Sequence, residues 1–333
     1  MKYNDQNNIV DQFSITRLLE KQSRNDIVSE IFAGLTANTK YISSRFFYDE
    51  KGSSLFESIT GLEEYYPSRT EKSILKQISS NLLNTIGSTE IVELGSGDCS
   101  KISILLKSLS SEILPLVKYY PVDISETSII NSAEVLANHF PEIQINGIVA
   151  DFLKQMEILP GNSNRLISFF GSTIGNLTHD EAITFLSGIR KKMQKGDTLL
   201  VGYDMVKEID ILESAYNDNQ GITEAFNKNI LSAINEIAET NFEEGKFKHL
   251  AFYNQAEMRI EMHLEALKDL RICSPKFPYS IHIEEGETIH TENSHKFTKD
   301  LIYEMAEKSG LQIQNMFSDK KDWFSLVQYN CYD

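Results

Sequence analysis

The sequence predicts an α/β fold: a mostly parallel, doubly wound sheet of seven strands, interrupted by a second unit of mixed α+β character. Two observations carry this. Between residues 91 and 204 short apolar runs alternate with segments of helical spacing, the signature of successive βαβ units. After residue 206 that rhythm stops, then resumes near residue 298 with one helix and two further strands.

The first strand is Ile91-Val92-Glu93-Leu94, too apolar to face water on either side. It breaks into Gly95-Ser96-Gly97-Asp98-Cys99-Ser100-Lys101, and residues 102–106 restore helical spacing. Tyr119-Tyr120-Pro121-Val122 forms the second strand and ends at Asp123, with Ser125 placed to cap the next helix. Residues 143–149 make a third strand that leaves at Asp151-Phe152. Residues 165–170 make a fourth, running directly into Gly171-Ser172-Thr173-Ile174-Gly175-Asn176. A helix from His179 stops near Lys195-Gly196, and residues 198–204 supply the fifth strand.

Strand, glycine turn, helix, strand and acid let a ligand lie against backbone while a carboxylate accepts from ribose hydroxyls. A dinucleotide fingerprint needs a third glycine three positions after Gly97, where Ser100 stands. The phosphate-cradling G-x-x-x-x-G-K-[ST] pattern is also missing. Glu-x-Gly-x-Gly with a lone downstream acid suits a nucleoside without phosphates, and S-adenosylmethionine (SAM) meets that description. Its methionine end would lie along residues 95–97 and its ribose on Asp123. Asp151 and Phe152 would meet the adenine amino group and ring, and the glycine-rich loop to Asn176 would line the same strand ends. Ordinary α/β sheets use the same turns with no ligand, and Cys99 fits a small buried residue better than a nucleophile.

Composition narrows the class without choosing a chemistry. The 333 residues are 41% hydrophobic, enough for one large or two modest domains. A net charge of −16, with acids spread along the chain, argues against nucleic-acid or anionic-membrane partners. Three cysteines do not make a disulfide framework, and no apolar stretch reaches the length of a membrane span. The first 30 residues hold no signal-peptide core, so a cytoplasmic protein is expected, and the acidic charge favours a monomer. His282, His290 and His295 lack zinc-site spacing, and no metal is expected.

From residue 206 to 241 the pattern is helical; from Phe252 it alternates, with Met258, Ile260, Met262 and Leu264 opposite Arg259, Glu261, His263 and Glu265. That predicts a strand with one face buried. If the stretch around Asn293 is extended, Glu292 and Ser294 face one side, as suits a ligand with nitrogen donors or as suits a solvated strand face. Tyr48 and the Tyr65-Tyr66-Pro67 cluster read first as packing tyrosines with hydroxyls at an edge.

These stretches together resemble one family. Phe47-Tyr48-Asp49, Gly52-Ser53-Ser54-Leu55-Phe56, Glu64-Tyr65-Tyr66-Pro67-Ser68-Arg69-Thr70-Glu71 and Glu93-Leu94-Gly95-Ser96-Gly97 come first. Gly171-Ser172-Thr173-Ile174-Gly175-Asn176-Leu177, Ala215-Tyr216-Asn217-Asp218, Phe226-Asn227-Lys228-Asn229, Arg259-Ile260-Glu261-Met262 and Thr291-Glu292-Asn293-Ser294-His295-Lys296-Phe297 follow in the same order. The chain is similar to the histidine-specific SAM-dependent methyltransferases, the L-histidine Nα-methyltransferases of ergothioneine biosynthesis.

The resemblance implies a seven-stranded Rossmann-like class I methyltransferase sheet, with a substrate-binding α+β domain formed by the N-terminal segment and an insertion. Residues 1–69 would join that domain, 70–206 would form the SAM-binding core, 207–296 the insertion and 297–333 the end of the core. SAM would be held by Gly95, Lys101, Asp123, Asp151 and Phe152. The substrate would be held by Tyr65, Asn176, Tyr216, Met262, Glu292 and Ser294, with Tyr48 beside the reacting amine. Asn176 and Tyr216 would grip the α-carboxylate, while Glu292 and Ser294 read the imidazole. The implied product is the trimethylated betaine, hercynine. Asp98-Cys99, Leu62 before Glu63-Glu64 and Tyr203 depart from the family pattern, away from the imidazole-reading residues. Some relatives methylate tryptophan-type substrates; Met262 together with Glu292 favours histidine.

Overall fold

The computed structural model describes residues 13–19, 23–86, 89–155, 159–160 and 164–331. They fall into two compact units: the described parts of Met1–Glu20, Pro67–Val206 and Lys296–Asp333, and those of Lys21–Tyr66 and Lys207–His295.

The first unit is built on one sheet. Its strands are β1 (Phe13–Arg17), β2 (Glu90–Leu94), β3 (Lys118–Asp123), β4 (Gln144–Val149), β5 (Arg165–Phe169), β6 (Thr198–Asp204), β12 (Leu311–Ser318) and β13 (Phe324–Cys331). They lie in the order β1-β4-β3-β2-β5-β6-β13-β12; the first six run parallel, and β13 is antiparallel to both β6 and β12. Helices cover both faces. Ile91, Tyr119, Ile145 and Leu166 share a core with α3 (Tyr66–Ile86), α4 (Ser100–Leu106) and α5 (Glu126–His139). Val92, Val122 and Ile167, an odd number of positions along the same strands, point the other way, to α6 (His179–Lys192) and α9 (Lys299–Ser309). Burial on both faces explains why these strands read as unbroken apolar runs. The helix starts follow local chemistry: Ser125 and Thr298 accept from the first turns of α5 and α9, and Thr178 with Glu181 closes a capping box on α6.

The sheet holds eight strands among the described residues, one more than the sequence predicts. The extra strand is β1, whose residues pair with β4 from Phe13 opposite Ile145 to Arg17 opposite Val149. Part of the N-terminal segment thus belongs to the sheet and not to the second unit, which corrects the expectation for residues 1–69. Only Phe13 and Ile15 of β1 are half-buried, while Ser14, Thr16 and Arg17 face water, so its apolar signal is weak. A short, polar strand also makes a safer sheet edge than β4 would.

The second unit contains α1 (Arg24–Thr36), α2 (Glu50–Thr60), α7 (Ile209–Ser214) and α8 (Ile222–Ala238). A three-stranded antiparallel sheet joins β11 (Thr288–His295), β8 (Arg259–Ala266) and β7 (Phe247–Asn254), and β9 (Leu270–Ile272) pairs with β10 (Ile281–Ile283). The helical stretch after residue 206 divides because Asp218 accepts from the backbone N–H of Ile222 and Thr223, starting α8 afresh after Gly221 at a φ of 72°. β8 departs from a one-face-buried strand: Glu261 and His263 on its polar face are each only 8% exposed. β8 lies between two strands, and Glu261 is enclosed by Arg259, Asn254 and His263.

Candidate functional site

The glycine turn after β2 has the shape its sequence demands. Gly95 and Gly97 have φ of +66° and +48°, in the region L side chains rarely adopt. Gly95 N–H donates to the Val122 carbonyl at 2.8 Å, and Gly97 N–H donates to Asp123 Oδ2 at 3.1 Å. Asp123 Oδ1 accepts from Ser125 N–H at 3.0 Å, so one carboxylate ties the turn to the start of α5. Burial pushes this carboxyl up, while backbone donors at Ser125, Gly97 and Ile124 oppose the shift. Each carboxylate oxygen has two lone pairs, so Asp123 keeps acceptor capacity for ribose hydroxyls.

A polar ligand fits against this turn. Ser96 Oγ is buried with no hydrogen-bond partner among the described residues, and a Cβ added at Gly97 would meet nothing within 4 Å. Phe152 closes one side, its ring 3.5 Å from where a Gly95 Cβ would sit and edge-on to Phe169 at 5.6 Å between centroids. Asp151 lies at the same strand end, with Oδ1 accepting from Leu153 N–H at 3.2 Å. Lys101 extends from α4 to Glu71 Oε2 at 2.9 Å, and Glu71 also accepts from Gly171 N–H at 2.9 and 3.0 Å. Gly95, Lys101, Asp123, Asp151 and Phe152 therefore all stand at the carboxyl ends of β2, β3 and β4 or in the helix that follows. The half-buried Asn176 closes the short 3₁₀ turn Thr173–Asn176 beyond β5.

In the second unit the expected substrate residues form one connected set. Tyr48 follows a 3₁₀ turn over Ser44–Phe47, and Asp49 caps α2 by accepting from Gly52 N–H at 2.6 Å. The Tyr48 ring meets Phe56 and Phe226 edge-on at 6.0 and 6.2 Å. Phe56 meets Tyr65 at 6.4 Å, and Tyr65 meets Tyr216 at 6.2 Å. Tyr216 O–H donates to Ser294 Oγ at 2.8 Å. Glu292 stands opposite Met262 in the β11–β8 register, and a bulge at Thr291 precedes it. Tyr48, Tyr65, Tyr216, Met262, Glu292 and Ser294 thus share one unit, while Asn176 belongs to the other. Among the described residues no cluster of three or more His, Cys, Asp or Glu side chains could hold a metal.

Comparison with known proteins decides the family. The model of the family described as "Histidine-specific methyltransferase, SAM-dependent" matches residues 27–331. The chain belongs to this family. It is 36% identical over 298 residues to a histidine N-alpha-methyltransferase of Mycolicibacterium smegmatis, covering 89% of this chain and 92% of that one. A histidine N-alpha-methyltransferase of Mycobacterium tuberculosis is 34% identical over 297 residues, with coverage of 89% and 92%. Ergothioneine biosynthesis protein 1 of Schizosaccharomyces pombe is 26% identical over 303 residues, which are 87% of this chain and 38% of that protein. This histidine-specific methyltransferase family member is a SAM-dependent enzyme, and SAM is its cofactor.

Sequence reasoning places three further residues inside motifs without giving any of them a role. Glu71, fully buried, links Lys101 to the Gly171 turn from α3, and only its place in the Tyr66-to-Glu71 motif hinted at it. Glu93 lies under the glycine turn and accepts from Tyr119 O–H at 2.7 Å. Burial raises its carboxyl to about 8 against the opposing pull of the Tyr119 hydrogen bond and the Lys101 charge. Asn227, fully buried on α8, reaches β7, β8 and β11 at once.

Proposed function

We propose that the protein transfers methyl groups from SAM to the α-amine of L-histidine, in successive steps, giving Nα,Nα,Nα-trimethylhistidine (hercynine) as in ergothioneine biosynthesis. The observation that supports histidine best is the coupling of an acid and a hydroxyl on β11 to a tyrosine: Glu292 and Ser294, with Tyr216 bonded to Ser294. A neutral imidazole offers one N–H and one acceptor nitrogen, so a carboxylate and a hydroxyl complement its two sides.

Each residue then has a role. Gly95, Asp123, Asp151, Phe152 and Lys101 bind SAM, which supplies an electrophilic methyl group on a sulfonium. Tyr216 holds the α-carboxylate. For Tyr216 this means turning its O–H from Ser294 to the substrate, which leaves Ser294 to the imidazole. Tyr65 and Met262 wall the ring, and Tyr48 orients the amine. The amine must shed a proton before it attacks, and water or a hydroxyl accepts it. Alignment of amine, methyl carbon and sulfur does most of the catalytic work. The growing cation is favoured by the face of Tyr48. We place the enzyme in the cytoplasm as a monomer; no described helix is long and apolar enough to cross a membrane.

Mass spectrometry of the protein with SAM and each common amino acid tests this reading. Trimethylated histidine is the expected main product. Glu292→Ala is expected to raise the histidine KM roughly ten- to hundredfold, the cost of losing a charged hydrogen bond, with little change for SAM. Turnover of another amino acid in preference to histidine would overturn the substrate assignment and keep the cofactor site.

A further inference from the structure

Asn227 occupies a position no substrate contact explains. It lies on α8 with no exposed surface, and its amide makes three hydrogen bonds to three different strands. Nδ2 donates to His249 Nδ1 on β7 at 2.8 Å and to the His263 carbonyl on β8 at 3.0 Å. Oδ1 accepts from Thr291 Oγ1 on β11 at 2.7 Å. The far ring nitrogen of His249, Nε2, lies 2.9 Å from the Tyr216 carbonyl. A carbonyl can only accept, so Nε2 carries the proton and Nδ1 accepts, which fixes the amide orientation of Asn227 independently. Thr291 is the bulged residue of β11, out of register between His290 and Glu292, and its hydroxyl also lies 3.0 Å from the Met262 carbonyl.

β8 and β11 carry proposed histidine contacts next to these anchors, and β7 reaches a third, Tyr216 in the connection before α8, through His249. His249 holds the backbone of Tyr216; Met262 precedes His263; Glu292 follows Thr291. We infer that Asn227 is a positioning residue for substrate recognition: its side-chain amide, through His249 and Thr291, sets Tyr216, Met262 and Glu292 at the spacing histidine requires. This rests on the proposed roles of those three residues. A bulge re-aims the side chain that follows it, and here its unpaired residue is pinned by Asn227. A fully satisfied buried amide tolerates only one arrangement of the strands around it.

Asn227→Asp is the informative change, since it keeps the volume and removes both donors. The introduced carboxylate then faces the Nδ1 lone pair and the His263 carbonyl, two acceptors. Protonation of His249 restores one hydrogen bond, because Nδ1–H can donate to the carboxylate. Glu224, Asp218 and Lys228 also act on this imidazole, the two acids favouring its charged form and the lysine opposing it. Burial holds it neutral in the native protein. The substitution adds a negative charge in contact with the ring, which favours the imidazolium.

The test measures histidine KM, kcat and SAM affinity for Asn227→Asp, Thr291→Val and Glu292→Ala between about pH 6.5 and 9, the range over which a histidine changes charge. For Asn227→Asp we expect the histidine KM to rise roughly tenfold or more near pH 9. SAM affinity should stay within about twofold, and the KM defect relative to wild type should shrink as pH falls. Thr291→Val should raise the histidine KM at every pH. If Glu292→Ala raises KM and Asn227→Asp does not, the positioning role is wrong and the substrate reading stands. If neither raises it, the substrate reading fails and takes the inference with it. A defect equal at all pH values, or shared equally by SAM, would mark a general packing role and overturn the proposal.

Discussion

At Gly52 the space for a side chain is already taken. A Cβ there would lie 1.7 Å from the Phe47 carbonyl oxygen, a backbone atom that cannot swing aside. The same glycine donates its N–H to Asp49 Oδ1, which also accepts from Asn229 Nδ2 at 2.9 Å. Gly52→Ala must therefore push α2 away from the turn that carries Tyr48. We expect a loss of about 1–3 kcal/mol in urea denaturation, the range for overpacked sites, and a larger fall in histidine turnover than in SAM binding. An unchanged midpoint would mean that the close approach relaxes at no cost. Asp123 teaches a related lesson. Its role as a strand-end acid was legible from the sequence, but its bond to Gly97, which makes it part of the turn itself, depends on a fold that stacks residues 26 positions apart.

At the scale of elements, β5 is held by a buried ion pair. Arg165 opens the strand at 2% exposure, and its guanidinium reaches Asp197 Oδ2 at 3.0 Å from Nε and 2.5 Å from Nη2. Its remaining N–H groups donate to the carbonyls of Leu159, Pro160 and Lys192. Arg165→Met strands the Asp197 charge with half its partners gone, and breaking such pairs costs about 3–5 kcal/mol. A fall of that size in thermal or urea unfolding, with KM for SAM and histidine unchanged in the folded fraction, is the expected outcome. Nothing in the run Arg165-Leu166-Ile167-Ser168-Phe169 announces the pair, because Asp197 is supplied by the turn before β6.

Across the whole molecule, two carboxyls displaced in opposite directions shape the pH dependence of stability. Glu93 is raised from 4.5 to about 8, chiefly by burial. Between those values the unfolded chain releases the proton that the fold retains, so Glu93 makes stability fall as pH rises from about 4.5 to 8. Burial would also raise Glu261, but hydrogen bonds from His263, Asn254 and Arg259 bring it down to about 2. Its contribution is present above 4.5 and is lost as pH falls toward 2. Denaturation midpoints of the SAM-free protein should lose much of their decline between about pH 4.5 and 8 in Glu93→Gln, the remainder including the raised Asp123, and part of their acid limb in Glu261→Gln. A Glu93→Gln profile that still tracks wild type would show that Glu93 ionises freely in the fold.

The alternating apolar runs, the Gly95–Gly97 turn, the acid at Asp123 and the break after residue 206 were set by local chemistry, and so the sheet, the cofactor and the interruption were legible in the sequence. Turns that need positive φ and strands buried on both faces leave composition marks that neighbours in sequence reveal. β1 was not legible, since a polar edge strand with two half-buried side chains resembles a loop until β4 supplies its partner. Nor were the Glu71–Lys101–Gly171 link and the Asn227 hub, whose bonded members lie 22 to 100 positions apart in sequence. The enclosure of Glu261 and His263 was hidden for the same reason: alternation along β8 shows which residues share a face, while only tertiary packing determines what covers it.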